Sequence, residues 1–154
     1  MKTSTITEEQ AIKVATKLNY LLANYSILYM NLRGFHWNLK GENFFTLHPK
    51  FEEYYNDAAS KIDEIAERVQ SLGYMPLHSY SDYRSVSDIK EITDVADGKI
   101  CMEHLLEGYE IILRHERQIC IEAENVKDEG TVSMITDYIR QQEKTVWMLK
   151  SCLS

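Results

Sequence analysis

Residues 47–72, LHPKFEEYYNDAASKIDEIAERVQSL, read as one amphipathic helix. At about 100° per residue, Phe51, Tyr55, Ala58, Ile62, Ile65 and Val69 fall on a single apolar stripe roughly 80° wide. Glu53, Asp57, Lys61, Glu64 and Arg68 fall on the opposite arc, which reads as solvated. Pro49 is expected in the first turn, where its missing N–H costs nothing. Gly73 stands where a left-handed cap belongs, and Pro76 blocks continuation. A third strip, along the border of the core, holds His48, Glu52, Asp63 and Glu67, the last three at about 40°, 60° and 100° from His48. Four potential metal ligands therefore share a line that belongs neither to the core nor to the ordinary surface charge.

The flanking sequence supplies the helices against which this one packs. Upstream, Thr7-Glu8-Glu9-Gln10 reads as a capping box. Leu18, Leu22, Tyr25, Tyr29, Leu32 and His36 then recur in alternating steps of four and three, the seam of a helix over about residues 7–37. Gly34 weakens its last turn, and residues 38–43 form a turn. Downstream, residues 74–94 are a linker with a short helix near 79–85. A third long helix covers about 97–125, with Ile100, Leu105, Tyr109, Ile112, Leu113, Ile119 and Cys120 on its apolar face. Residues 127–130 break the chain, and a fourth helix over about 131–152 carries Ile135, Tyr138, Ile139, Val146 and Leu149. Four long helices with short outer turns and one long middle connection predict an all-α four-helix bundle, a single domain over residues 1–154 whose crossover carries a short helix.

Composition agrees. The 154 residues are 44% apolar and 27% charged, with six Gly and two Pro, too few for the turns of an all-β domain. The net charge of -7 and pI of about 5.2 supply no Lys/Arg field for nucleic-acid phosphates. No apolar run is long enough to span a membrane, and Met1–Ile6 lacks the apolar stretch of a signal peptide. Cys101, Cys120 and Cys152 form no CxxC pair. An odd, unpatterned set of thiols is expected in a reducing cytoplasm, with packing as its role.

The border strip cannot serve one metal within one chain. His48 and Asp63 lie roughly 22 Å apart along the helix axis, whereas metal–ligand bonds are about 2 Å. An antiparallel copy of the same helix, related by a two-fold axis between Asp57 and Ala58, sets His48 opposite Glu67 and Glu52 opposite Asp63. Each dimer then holds two equivalent sites built from both subunits. His36, at the end of the first seam, is the natural additional nitrogen ligand. Structural zinc favours Cys/His-rich tetrahedra and calcium favours oxygen alone. A mixed nitrogen and carboxylate set with open positions suits redox iron, with manganese as the alternative.

At His36-Trp37-Asn38, Gly41, Phe45-x-Leu47-His48, the Ile62–Arg68 block, Leu72-Gly73 and Trp147-Met148-Leu149, the chain resembles the Dps family of ferritin-like proteins. The resemblance implies a hollow shell of twelve subunits that oxidises Fe(II), preferably with hydrogen peroxide rather than oxygen, and stores ferric mineral. It implies an iron centre at a two-fold interface, with His36, His48, Asp63 and Glu67 matching the family ligands in type and spacing. The fifth ligand position, usually Asp, is here Glu52. Trp37 matches a family tryptophan implicated in quenching oxidising equivalents. Acidic three-fold pores are also implied, with Glu124, Asp128 and Glu129 as candidates.

The competing reading is a Dps-like scaffold or DNA-shielding cage whose centre is inert or holds zinc. The first ten residues carry one Lys and two Glu, and no basic tail is seen. DNA compaction through phosphate contacts is therefore not expected. A di-iron centre inside one bundle would need a Glu-x-x-His motif on each of two helices. Neither His104 nor His115 has a Glu three residues before it.

Overall fold

The computed structural model describes residues 5–154. The part of the leader reading that falls on Met1–Ser4 lies outside the described residues. The chain forms α1 (Glu8–Asn38), α2 (Phe44–Ser71), the short α3 (Tyr80–Val86), α4 (Gly98–Asn125) and α5 (Glu129–Leu153). α1 packs on α2, α3 and α4, and α5 packs on α4. The long connection from α2 to α4, carrying α3, is the crossover expected of the bundle. Among the described residues the only β pairing is an isolated Lys40–Asp97 bridge. No described helix is long and apolar enough to cross a membrane.

Local chemistry sets the helix ends. Thr7 Oγ1 accepts from the Gln10 N–H at 3.3 Å, and Gln10 Oε1 accepts from the Thr7 N–H at 3.0 Å, closing the capping box. Gly73 has φ +90°, and the Gly73 and Tyr74 N–H groups donate to the Gln70 and Val69 carbonyls. That pair of bonds is the left-handed C-terminal cap expected of this glycine.

Two boundaries differ from the sequence reading, the starts of α2 and α5. α2 begins at Phe44, so Pro49 lies inside the helix and leaves the Phe45 carbonyl without its helical donor. α1 runs through Gly34 to Asn38, in agreement with the expected end, because tertiary packing outweighs one glycine's propensity. α5 starts at Glu129, so Gly130 belongs to its first turn. A Cβ there would meet the Arg68 guanidinium at 2.8 Å, so the arginine that pairs with Asp128 would have to shift.

The core is drawn largely from the expected seams. Leu18, Leu22, Leu32, Phe51, Ile65, Leu105, Ile112 and Ile135 are buried, whereas Ile100 is exposed and Tyr29 is half-buried. Cys101 packs in the core, Cys120 is half-buried and Cys152 is exposed on the single chain.

Of the arc of α2 assigned to solvent, Glu53, Asp57 and Glu64 are exposed as expected, whereas Lys61 is buried and Arg68 half-buried. Lys61 is only 3% exposed, and its Nζ donates to Asp57 Oδ2 at 2.5 Å and Gln141 Oε1 at 2.8 Å. Tyr138 of α5 donates to Glu64, and Arg68 reaches Thr131 Oγ1 at 2.9 Å and Asp128 Oδ1 at 2.6 Å. α2 and α5 are thus joined by long polar side chains. Hydrophobic periodicity is blind to a buried lysine such as Lys61, whose ammonium is satisfied by protein partners and not by water.

The crossover is strapped to α1 by two asparagines one heptad apart. Asn24 Oδ1 accepts from Ser87 Oγ and from the Asp88 and Ile89 N–H groups at 3.0–3.1 Å. Asn31 Oδ1 accepts from the Ile92 N–H, while its Nδ2 donates to the Lys90 carbonyl. These bonds hold a non-helical segment whose backbone groups would otherwise be buried without partners.

Candidate metal centre

His36 ends the seam of α1, and His48 lies in the second turn of α2. Packing of the two helices brings the rings face to face, with centroids 3.8 Å apart and planes at 11°. His36 Nδ1 donates to the His48 carbonyl at 2.6 Å, and His48 Nδ1 donates to the His36 carbonyl at 2.8 Å. In a neutral imidazole whose Nδ1 carries the proton, the lone pair is on Nε2. Both rings are therefore held in the tautomer that ligates a cation through Nε2, each oriented by a carbonyl in the manner of metal-bound histidines. His36 is 7% exposed and His48 half-buried.

Glu52 lies one turn beyond His48 and is exposed. Its Oε1 accepts from the Tyr55 hydroxyl at 3.2 Å. The Tyr55 ring meets His36 edge-on at 5.3 Å and Tyr29 at 6.0 Å. Desolvation, and after it the Glu52 carboxylate, hold the Tyr55 phenol above its ordinary pKa. Asp63 and Glu67 are exposed farther along α2. Among the described residues, no group of three His, Cys, Asp or Glu side chains converges within one chain. One chain thus pairs His36 with His48, sets Glu52 one turn farther along α2 and leaves Asp63 and Glu67 apart from them.

Trp37 is 56% exposed, its ring covering the Arg33 guanidinium at 4.5 Å. Glu124 and Glu129 line an open concavity of about 770 Å³ together with Lys127, Asp137 and Arg140. Asp128 does not. It is 5% exposed, and its carboxylate caps α5 through the Thr131 N–H and hydroxyl while pairing with Arg68. Its role is structural, so it is withdrawn from the pore candidates.

Two polar groups escaped the sequence reading. Tyr55 was placed in the apolar stripe, yet its hydroxyl reaches Glu52. Glu116 is fully buried and accepts from Gln142 Nε2, which also reaches Tyr25 Oη at 2.5 Å. Burial pushes the Glu116 carboxyl up to about 8, against the opposing pull of Gln142 and Lys61. The signal for it was its register, between Ile112 and Ile119 at steps of four and three. The remaining bundle histidines are engaged elsewhere, His104 stacking on Phe35 and His115 pairing with Asp88 at 2.7 Å.

The chain is similar to known proteins over nearly its whole length. The ferritin-like domain family matches residues 15–154. An uncharacterised Haemophilus influenzae protein is 47% identical over 92% of this chain and 89% of its own length. The DNA protection during starvation protein of Porphyromonas gingivalis is 38% identical over 94% of this chain and 91% of its own. Among solved structures, a Vibrio cholerae Dps, described as one of the ferritin-like diiron-carboxylate proteins, superposes with a TM-score of 0.97. It is 48% identical and covers 100% of this chain and 98% of its own. A Bacillus brevis Dps superposes at 0.91 with 35% identity, over 95% of this chain and 98% of its own. With its crossover bundle and its paired histidines at the α1–α2 contact, the chain belongs to the Dps family of ferritin-like proteins.

Proposed function

We propose that the protein is an iron-oxidising and iron-storing subunit whose centre is completed at a two-fold interface between copies of the chain, within a shell of twelve. The observation that carries this reading is the reciprocal His36–His48 pair, which leaves two Nε2 lone pairs for a cation. Asp63 and Glu67 of a second, antiparallel α2 would complete the ligand set. The donor set fits iron, with neutral nitrogens for Fe(II) and carboxylates for the harder Fe(III). Zinc is the alternative occupant of the same nitrogens.

Two Fe(II) ions give one electron each to one hydrogen peroxide, which takes up two protons and leaves as two waters, so no one-electron hydroxyl radical is released. The chain's own residues hold the pair of substrate ions, orient the nitrogens and supply the negative charge that favours the oxidised product. The name borne by the Porphyromonas gingivalis relative points to DNA protection. With a net charge of -7 here, protection would run through removal of iron and peroxide rather than through coating the duplex.

The test is anaerobic Fe(II) loading of the assembled protein, followed by peroxide or oxygen, with ferric absorbance compared against a His48→Ala/Asp63→Ala variant. Fast oxidation that the variant loses, with peroxide outpacing oxygen, is expected. Equal rates in both proteins would leave an inert or zinc-filled centre and the scaffold reading in its place.

A further inference from the structure

We propose that Tyr55 is a positioning residue that fixes the orientation of the Glu52 carboxylate, an inference that rests on the iron-centre reading above. A glutamate carries one more rotatable bond than an aspartate, and an exposed one samples several rotamers unless something fixes it. Here the fixing group is the Tyr55 hydroxyl, three residues along the same helix face, which donates to Oε1 at 3.2 Å and leaves Oε2 for a cation. The donor is itself immobilised. Its ring packs near-perpendicular to those of His36 and Tyr29, with centroids 5.3 and 6.0 Å away. A hydrogen bond to an ionised acceptor from a donor already locked by packing costs little further ordering. The same aromatic side chain therefore touches the α1 ligand through its ring and the α2 ligand through its hydroxyl, setting their spacing. In this way the longer arm of Glu52 is restrained to one reach.

The test uses Co(II) on the assembled protein, read by its ligand-field absorbance, so that no turnover is needed. Tyr55→Phe keeps the ring and its contacts and removes only the hydroxyl. It is expected to weaken Co(II) binding about tenfold, the scale on which partners of metal ligands act, and to change the absorbance envelope. In a Glu52→Ala background the same change is expected to have no further effect, since it acts through Glu52. Unchanged affinity and spectrum in Tyr55→Phe, or an equal loss with and without Glu52, would overturn the assignment. The iron-centre reading fails separately, and takes this inference with it, if wild-type Co(II) binding is indifferent to His48→Ala.

Discussion

His36 and His48 hold each other through main-chain carbonyls rather than through side chains, Nδ1 of each donating to the backbone oxygen of the other. A carbonyl survives any substitution at its own residue. His48→Ala should therefore leave the His36 ring oriented, and His36→Ala should leave His48 oriented. We expect each single variant to fold and to lose about 1–3 kcal/mol of stability from a buried hydrogen bond and lost packing. Fe(II) oxidation should nevertheless fall at least tenfold. Thermal unfolding and ferric absorbance on the same preparations separate the two effects, and a stability loss as complete as the activity loss would refute the division.

A centre shared between chains has a signature in mixed assemblies. Asp63→Ala damages the half-site that receives His36 and His48 of a second chain, and His48→Ala damages the opposite half. Co-assembled Asp63→Ala and His48→Ala subunits should recover oxidation, because a dimer of unlike subunits collects both lesions in one centre and leaves the other intact. No recovery at any mixing ratio, with assembly preserved, would exclude sharing.

Glu116 predicts a pH dependence of stability. Burial sets its folded-state pKa at about 8 against an ordinary 4.5, so the folded chain holds a proton that the unfolded chain has released. The stability contribution is complete below about pH 4.5, declines as pH rises and is lost above about 8, at a cost on the order of a few kcal/mol. Lys61, Asp57 and Arg117 are the charged groups acting on it, with Lys61 and Arg117 lowering and Asp57 raising its pKa. Glu116→Gln removes the titration and keeps an acceptor for Gln142. Chemical denaturation from pH 5 to 9 should show the variant's advantage growing with pH; parallel curves would mean that Glu116 ionises normally.

Asp128 joins the start of α5 to Arg68 of α2. Asp128→Ala removes the cap and strands a partly buried guanidinium, an expected loss of about 2–4 kcal/mol. Asp128→Asn keeps the cap acceptor and should lose only part of that. A pore residue would give the reverse pattern, with iron entry slowed and unfolding unchanged, so stopped-flow iron uptake alongside denaturation decides between them.

Much of this protein follows from local chemistry. Steps of three and four determine four long helices and most of their buried faces, Thr7 and Gly73 mark ends through capping rules, and the angular strip of His48, Glu52, Asp63 and Glu67 is a consequence of helical geometry alone. Other features depend on what each helix meets. Lys61 looks solvated until α5 brings Gln141 to it, because a satisfied buried polar group carries no mark in hydropathy. Asp128 looks like loop charge until Arg68 arrives from sixty residues away. The histidine tautomers are decided only when α1 and α2 close on each other, since a ring nitrogen's proton is placed by its acceptor, and here that acceptor is the backbone of the opposite helix.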